Sequence, residues 1–165
     1  MSRTRNHATG FTILEMLVAV ALIGILSAIA FPSYRSYVER THRTVAKTAI
    51  SNILARQESY ATDHKRYTGD FSRLGYSGSG VSTTAYVNSR GDISLTATNA
   101  LYSLELKASG TVASCSGLSG TPGAFAYIVL ATPVSATIDS RCNSLCMAAT
   151  GERGASGDAE TCWQR

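Results

Sequence analysis

The chain is short of the groups that catalysis and cofactor binding require. Its three histidines are His7, His42 and His64, and neither His42 nor His64 belongs to a cysteine or carboxylate motif that would hold a metal. The four cysteines, Cys115, Cys142, Cys146 and Cys162, are separated by 26, 3 and 15 residues with no CxxC among them, which argues against a zinc site. There is no dinucleotide or phosphate loop, and the many serines and threonines form no nucleophile elbow. Internal repeats, blocks of like charge and a polybasic tail are also absent. Net charge is only +4, too mild by itself to indicate nucleic acid. These absences point away from an enzyme, and no metal or cofactor is expected.

What the chain does have is an apolar run from Phe11 to Phe31, FTILEMLVAVALIGILSAIAF, interrupted by the single acid Glu15. As a helix, roughly 20 residues reach about 30 Å, enough to cross the hydrocarbon core of a bilayer. A carboxylate at that depth costs about 2.5–3.5 kcal/mol on insertion scales, so it needs a function and a partner. The leader MSRTRNHATG carries Arg3 and Arg5, no acid, and ends in Gly10. Cleavage after Gly10 would turn Phe11 into a free amine, one helical turn from Glu15 or level with it in a neighbouring subunit. A secretory signal would instead be cut beyond the apolar region. Ser27–Ala30 offers such a match, but that cut would discard the apolar segment and leave Glu15 without purpose. Loss of Arg3 and Arg5 with the leader would leave a mature charge of +2.

Beyond Pro32 the pattern becomes amphipathic. Val38, Val45, Ala49, Ile53 and Leu54 form a stripe widened by Ala46 and Ile50, with Arg40, Arg43, Lys47 and Arg56 placed off it. Glu39 and Arg43 read as an i,i+4 surface pair. The spacing predicts one helix over 11–61, with a bend or weakened segment at Ser27–Pro32. In Gln57–Tyr76 the residues Tyr60, Tyr67, Phe71, Leu74 and Tyr76 read as packing residues, and a base-stacking platform is the alternative. Gly75–Ser89, rich in Gly, Ser and Thr, reads as a loop of no fixed structure. Four strands are expected at Asp92–Thr98, Leu101–Ala108, Ala124–Thr132 and Ser144–Thr150. The fold class is therefore α+β, a long helix packed on a four-stranded antiparallel sheet. In an exported domain the cysteines read as disulfides. Three complete pairings are open, although an extended Cys142–Cys146 segment would span about 13 Å, too far for a bridge.

The segment GFTILEMLVAVALIGILSAIAFPSY resembles the processing site and helix of bacterial type IV prepilins. The resemblance implies the type IV pilin fold, cleavage between Gly10 and Phe11, N-methylation of Phe11, an assembly role for Glu15, and Gly24 and Pro32 as helix-weakening positions. It divides the chain into a leader (1–10), a transmembrane and filament-core half-helix (11–32) and an exported domain (33–165). The aromatic block ending in Leu74-Gly75-Tyr76 and the C-terminal region Asp139–Trp163 are similar to PilE-like minor pilins. That similarity implies a Cys142–Cys162 bridge, and with it Cys115–Cys146.

The implied function is that of a structural, minor subunit of a type IV pilus, supporting pilus biogenesis, twitching motility, adhesion or DNA uptake. Its partners would be other pilin subunits, a prepilin peptidase that also methylates, and an inner-membrane assembly platform. It would start as a single-pass inner-membrane precursor and end in the extracellular filament. One alternative is a DNA-uptake receptor on the same scaffold, contacting extracellular DNA through Lys65, Arg66, Arg73, Arg90 and Arg153, for which a solvated basic surface is the plainer explanation. Another is a pseudopilin of a type II secretion system, which shares the N-terminal signature.

Overall fold

The computed structural model describes residues 11–78, 80–108, 115–118 and 126–164. The expected leader, Gly10 included, lies outside them. Helix α1 runs from Ile13 to His64. Thr12 opens it: its hydroxyl accepts from the Glu15 amide and its carbonyl from the Met16 amide, both at 3.2 Å. A first turn otherwise leaves such donors unpaired. Pro32 lies inside α1, which is helical on both sides of it. At the far end Lys65 adopts φ of 57° and donates its amide to Ala61 O at 2.8 Å, a left-handed C-terminal cap. The chain forms two compact units, Met1–Tyr37 and Val38–Arg165.

The second unit holds a six-stranded antiparallel sheet: β1 (Thr84–Asn88), β2 (Ile93–Ser94), β3 (Ala100–Ala108), β4 (Tyr127–Pro133), β5 (Leu145–Ala148) and β6 (Arg153–Ala155), in the order β2-β1-β3-β4-β5-β6. A short helix α2, Ala159–Trp163, follows. The architecture is the expected α+β, but the sheet has six strands where four were expected. One addition, β1, falls within Gly75–Ser89, the stretch read as structureless. Asp70 explains why it is ordered. Its carboxylate accepts from the Ser72 amide and hydroxyl and from the Ser82 amide at 2.8–3.0 Å. That ties a 3-10 turn at Phe71–Leu74 to the start of β1. The other addition, β6, has three residues, too few to show a period-2 pattern.

Strand alternation puts Ala85, Val87, Tyr102, Leu104, Leu106, Tyr127, Val129, Ala131, Leu145 and Met147 in one core with the buried stripe of α1: Ala46, Ala49, Ile50, Ile53 and Tyr60. The small residues Ala46 and Ala49 let helix and sheet approach closely. Val45 and Leu54 are only half buried at the margin of that stripe. Gln57 is fully buried within it and bonds both ways to the Thr68 backbone, as a buried amide must. The opposite sheet face carries a smaller cluster of Ile128, Leu130, Cys146 and Ala148, with Cys115 and Leu118 packed on it. Cys115 is bonded to Cys146, with Cα atoms 6.4 Å apart, and Cys142 to Cys162, at 5.7 Å.

Candidate functional site

The Ile13–Tyr37 portion of α1 keeps its apolar side chains in the open. Leu14, Leu17, Val20, Ile23, Leu26 and Ile29 are all more than half exposed, as is Phe31. By length and composition this portion is able to cross a membrane. An apolar surface of that size on every face of a helix calls for lipid or other helices around it. Glu15 lies in the first turn, where a carboxylate interacts favourably with the positive end of the helix dipole. Phe11, two residues before the helix, is 77% exposed. Apart from its chain neighbours and the surrounding turns of its own helix backbone, no atom lies within 4 Å of the place where a Cβ on Gly24 would stand, so packing inside the chain does not require glycine there.

In the second unit, Arg43 departs from its expected place on the surface. It is buried and binds Asp139 in two parallel hydrogen bonds, Nε to Oδ2 and Nη2 to Oδ1, each 2.9 Å long. Asp139 is fully buried and also accepts from the Cys142 amide at 3.1 Å and the Tyr102 hydroxyl at 3.4 Å. Burial alone would raise the Asp139 carboxyl, but the bonds from Arg43 and from the Cys142 and Arg141 amides outweigh it and hold the group below the usual carboxylate range. Glu39, the expected partner of Arg43, instead accepts from the Ser140 hydroxyl at 3.1 Å. The helix is thereby clamped to the loop that carries the Cys142–Cys162 bridge.

The five basic residues singled out from the sequence do not form one patch. Lys65 and Arg66 follow α1 directly, and both are exposed. Arg73 belongs with them through Tyr60: a hydrogen bond to the Tyr60 side chain is the main reason its guanidinium pKa is raised. Arg73 also pairs with Asp70 at 3.6 Å, and Arg90, in the β1–β2 turn, with Asp92 at 3.1 Å. Arg153 stands in β6 at the other edge of the sheet, so four strand spacings, roughly 19 Å, separate β6 from β1. Two cations were missed. Lys47 lies 5.7 Å from the Trp163 ring centre, alongside Arg153 at 5.4 Å, and Arg56 stacks on Tyr76 at 4.4 Å. The aromatic block is mainly packing, with Phe71, Leu74, Tyr76 and Tyr60 buried. Tyr67 and Tyr127 lie against each other at 4.7 Å and both donate to Glu58.

Residues 5–31 match the prokaryotic N-terminal methylation motif, and residues 32–146 match the family described as type IV minor pilin ComP, DNA uptake sequence receptor. The chain belongs to the type IV pilin family. Among its relatives, the fimbrial protein EcpC of Eikenella corrodens is 30% identical over 111 residues, which is 66% of this pilin and 69% of EcpC. The type IV major pilin protein PilA of Myxococcus xanthus is 33% identical over 76 residues, 46% of this chain and 34% of PilA. A fimbrial protein of Pseudomonas aeruginosa is 43% identical over 56 residues, 34% of this chain and 36% of its own length. The chain thus spans about a third of the length of the Myxococcus and Pseudomonas relatives. The exposed apolar helix and the methylation motif fit membrane anchoring and a pilus filament.

Proposed function

We propose that this chain is a minor subunit of a type IV pilus, made as a single-pass inner-membrane precursor. A prepilin peptidase removes residues 1–10 by cutting between Gly10 and Phe11, and the Phe11 amine is methylated. Residues 11–32 then pass from the membrane into the filament core through an inner-membrane assembly platform, and residues 33–165 are displayed outside. The observation that carries this reading is the uniformly exposed apolar helix opened by one acid, Glu15. Two charges held in low dielectric attract strongly, so the carboxylate and the Phe11 amine of an adjoining subunit set the register of an incoming pilin. Purifying intact pili and quantifying their subunits tests this. The chain should be present at a low ratio to the main pilin, beginning with methylated Phe11. Its absence from pili would refute the reading.

The match of residues 32–146 to a family described as a DNA uptake sequence receptor favours a second role on the same scaffold. Lys65, Arg66 and Arg73, gathered at the end of α1, are the first candidates to meet DNA phosphates. Arg153 lies apart from them, at the far edge of the sheet. Binding of duplex DNA by the full chain should weaken steeply with salt, with a slope that falls by about one per phosphate-contacting cation removed. A purely structural subunit shows no such binding.

A further inference from the structure

We propose that a groove between α1 and the β6–α2 edge binds a carboxylate side chain of a neighbouring pilin subunit, with Lys47 and Arg153 as the recognising cations. The groove encloses about 460 Å³ between the α1 residues Thr44–Asn52 and Met147, Arg153 and Trp163. Its base is a fixed indole: Trp163 donates its Nε1–H to Gly154 O at 2.9 Å. Lys47 and Arg153 both lie over that ring, at 5.7 and 5.4 Å from its centre. Two cations about one indole ring repel each other, and among the described residues no carboxylate is within ion-pair distance of either. Burial depresses the Lys47 pKa, and the nearby Arg43 and Arg153 charges add to the effect. An arriving anion would relieve that strain.

The hydroxyl donors around the groove are already used. The hydroxyls of Thr44, Thr48 and Ser51 each donate to the carbonyl four residues back, at 3.0 Å. Of the side chains that remain, Asn52 offers a neutral amide, and Lys47 and Arg153 offer the charged donors that a carboxylate prefers. Lys47 spends one proton on Gln164 O at 3.0 Å and keeps two. Arg153 presents a planar fork that suits the two oxygens of a carboxylate. The choice of a subunit as partner rests on the function proposed above. One wall of the groove is α1 itself, the helix that continues into the assembly segment, so a filament neighbour lying along α1 meets this wall next.

Intact pili containing this subunit provide the test. A zero-length carbodiimide joins an amine to a carboxylate only when they touch. Peptide mass spectrometry should find Lys47 coupled to an Asp or Glu of another pilin subunit, with the yield several-fold lower in Arg153→Gln. Lys47→Glu should lower incorporation into pili by about tenfold, as loss of a charge-assisted bond would, while Lys47→Arg restores it. Coupling confined to this chain's own carboxylates would overturn the inference. So would acetylation of Lys47 in intact pili as fast as in detergent-dispersed subunits, or its protection only when duplex DNA is added. Absence of the wild-type chain from pili would instead overturn the proposed function. Presence in pili with Lys47 uncoupled overturns this inference alone.

Discussion

Replacing Arg43 by methionine keeps most of the buried stem and removes the charge that holds Asp139. The ion pair is 8% and 0% exposed on its two sides, so the carboxylate left behind has little access to water. Breaking a buried pair on one side costs about 3–5 kcal/mol, a large share of the roughly 5–15 kcal/mol that stabilises a small domain. For a unit of this size the melting temperature should fall by about 10–20 °C. Urea unfolding of a Tyr34–Arg165 fragment, followed by circular dichroism, measures the effect. Acid supplies an internal check on the cause. In the wild type the Asp139 pKa is depressed on folding. Its contribution is therefore complete above the unfolded value of about 3.9 and is lost as pH falls through the lower folded value. In Arg43→Met the orphaned carboxyl is raised by burial, so protonation relieves the variant as the pH drops. The two stabilities should converge below about pH 4. A difference under about 1 kcal/mol at pH 7, or one unchanged down to pH 3, would refute the clamp as a stabilising charge pair.

Glu15→Ala should insert into the membrane at least as well as the wild type, since the costly charge is gone, but should enter filaments poorly. Normal incorporation, scored by immunoblot of sheared pili, would sink the registration role. Gly10→Val should accumulate as precursor because a branched side chain obstructs the cut, and intact-mass measurement reads the retained leader directly. A wild-type N-terminus near Phe31 would show a secretory signal in place of a pilin helix. Cys142→Ser/Cys162→Ser opens a bridge spanning 20 residues, worth about 3 kcal/mol in the chain-entropy model. Limited proteolysis should then cut within Asn143–Thr161, and non-reducing peptide maps of the wild type should hold only Cys142–Cys162 and Cys115–Cys146 links.

The legible part of this chain is the part governed by local repetition. An unbroken apolar run over 11–31 and a 3.6-residue apolar period beyond Pro32 together make α1 legible, because each signal lies within one contiguous segment. Strands β3, β4 and β5 are rich enough in β-forming apolar residues to be found to within a few residues. What escaped depends on contacts that no window contains. The ends of the Arg43–Asp139 pair are 96 residues apart. On α1 Arg43 had the look of a surface cation with a helical partner at Glu39, and only the return of the chain after β4 turns it inward. The Trp163 groove is assembled from α1, β5, β6 and α2, elements whose proximity follows from strand order alone. The five basic residues failed in the opposite direction: alike in charge in the sequence, they are split by the sheet, which sets Arg153 at its far edge. Charge type is written locally, whereas convergence of charge is a property of topology. Trp163 was the one usable hint: a sole tryptophan beside a bridged cysteine has its indole N–H to satisfy and a large face to cover, and here cations cover it.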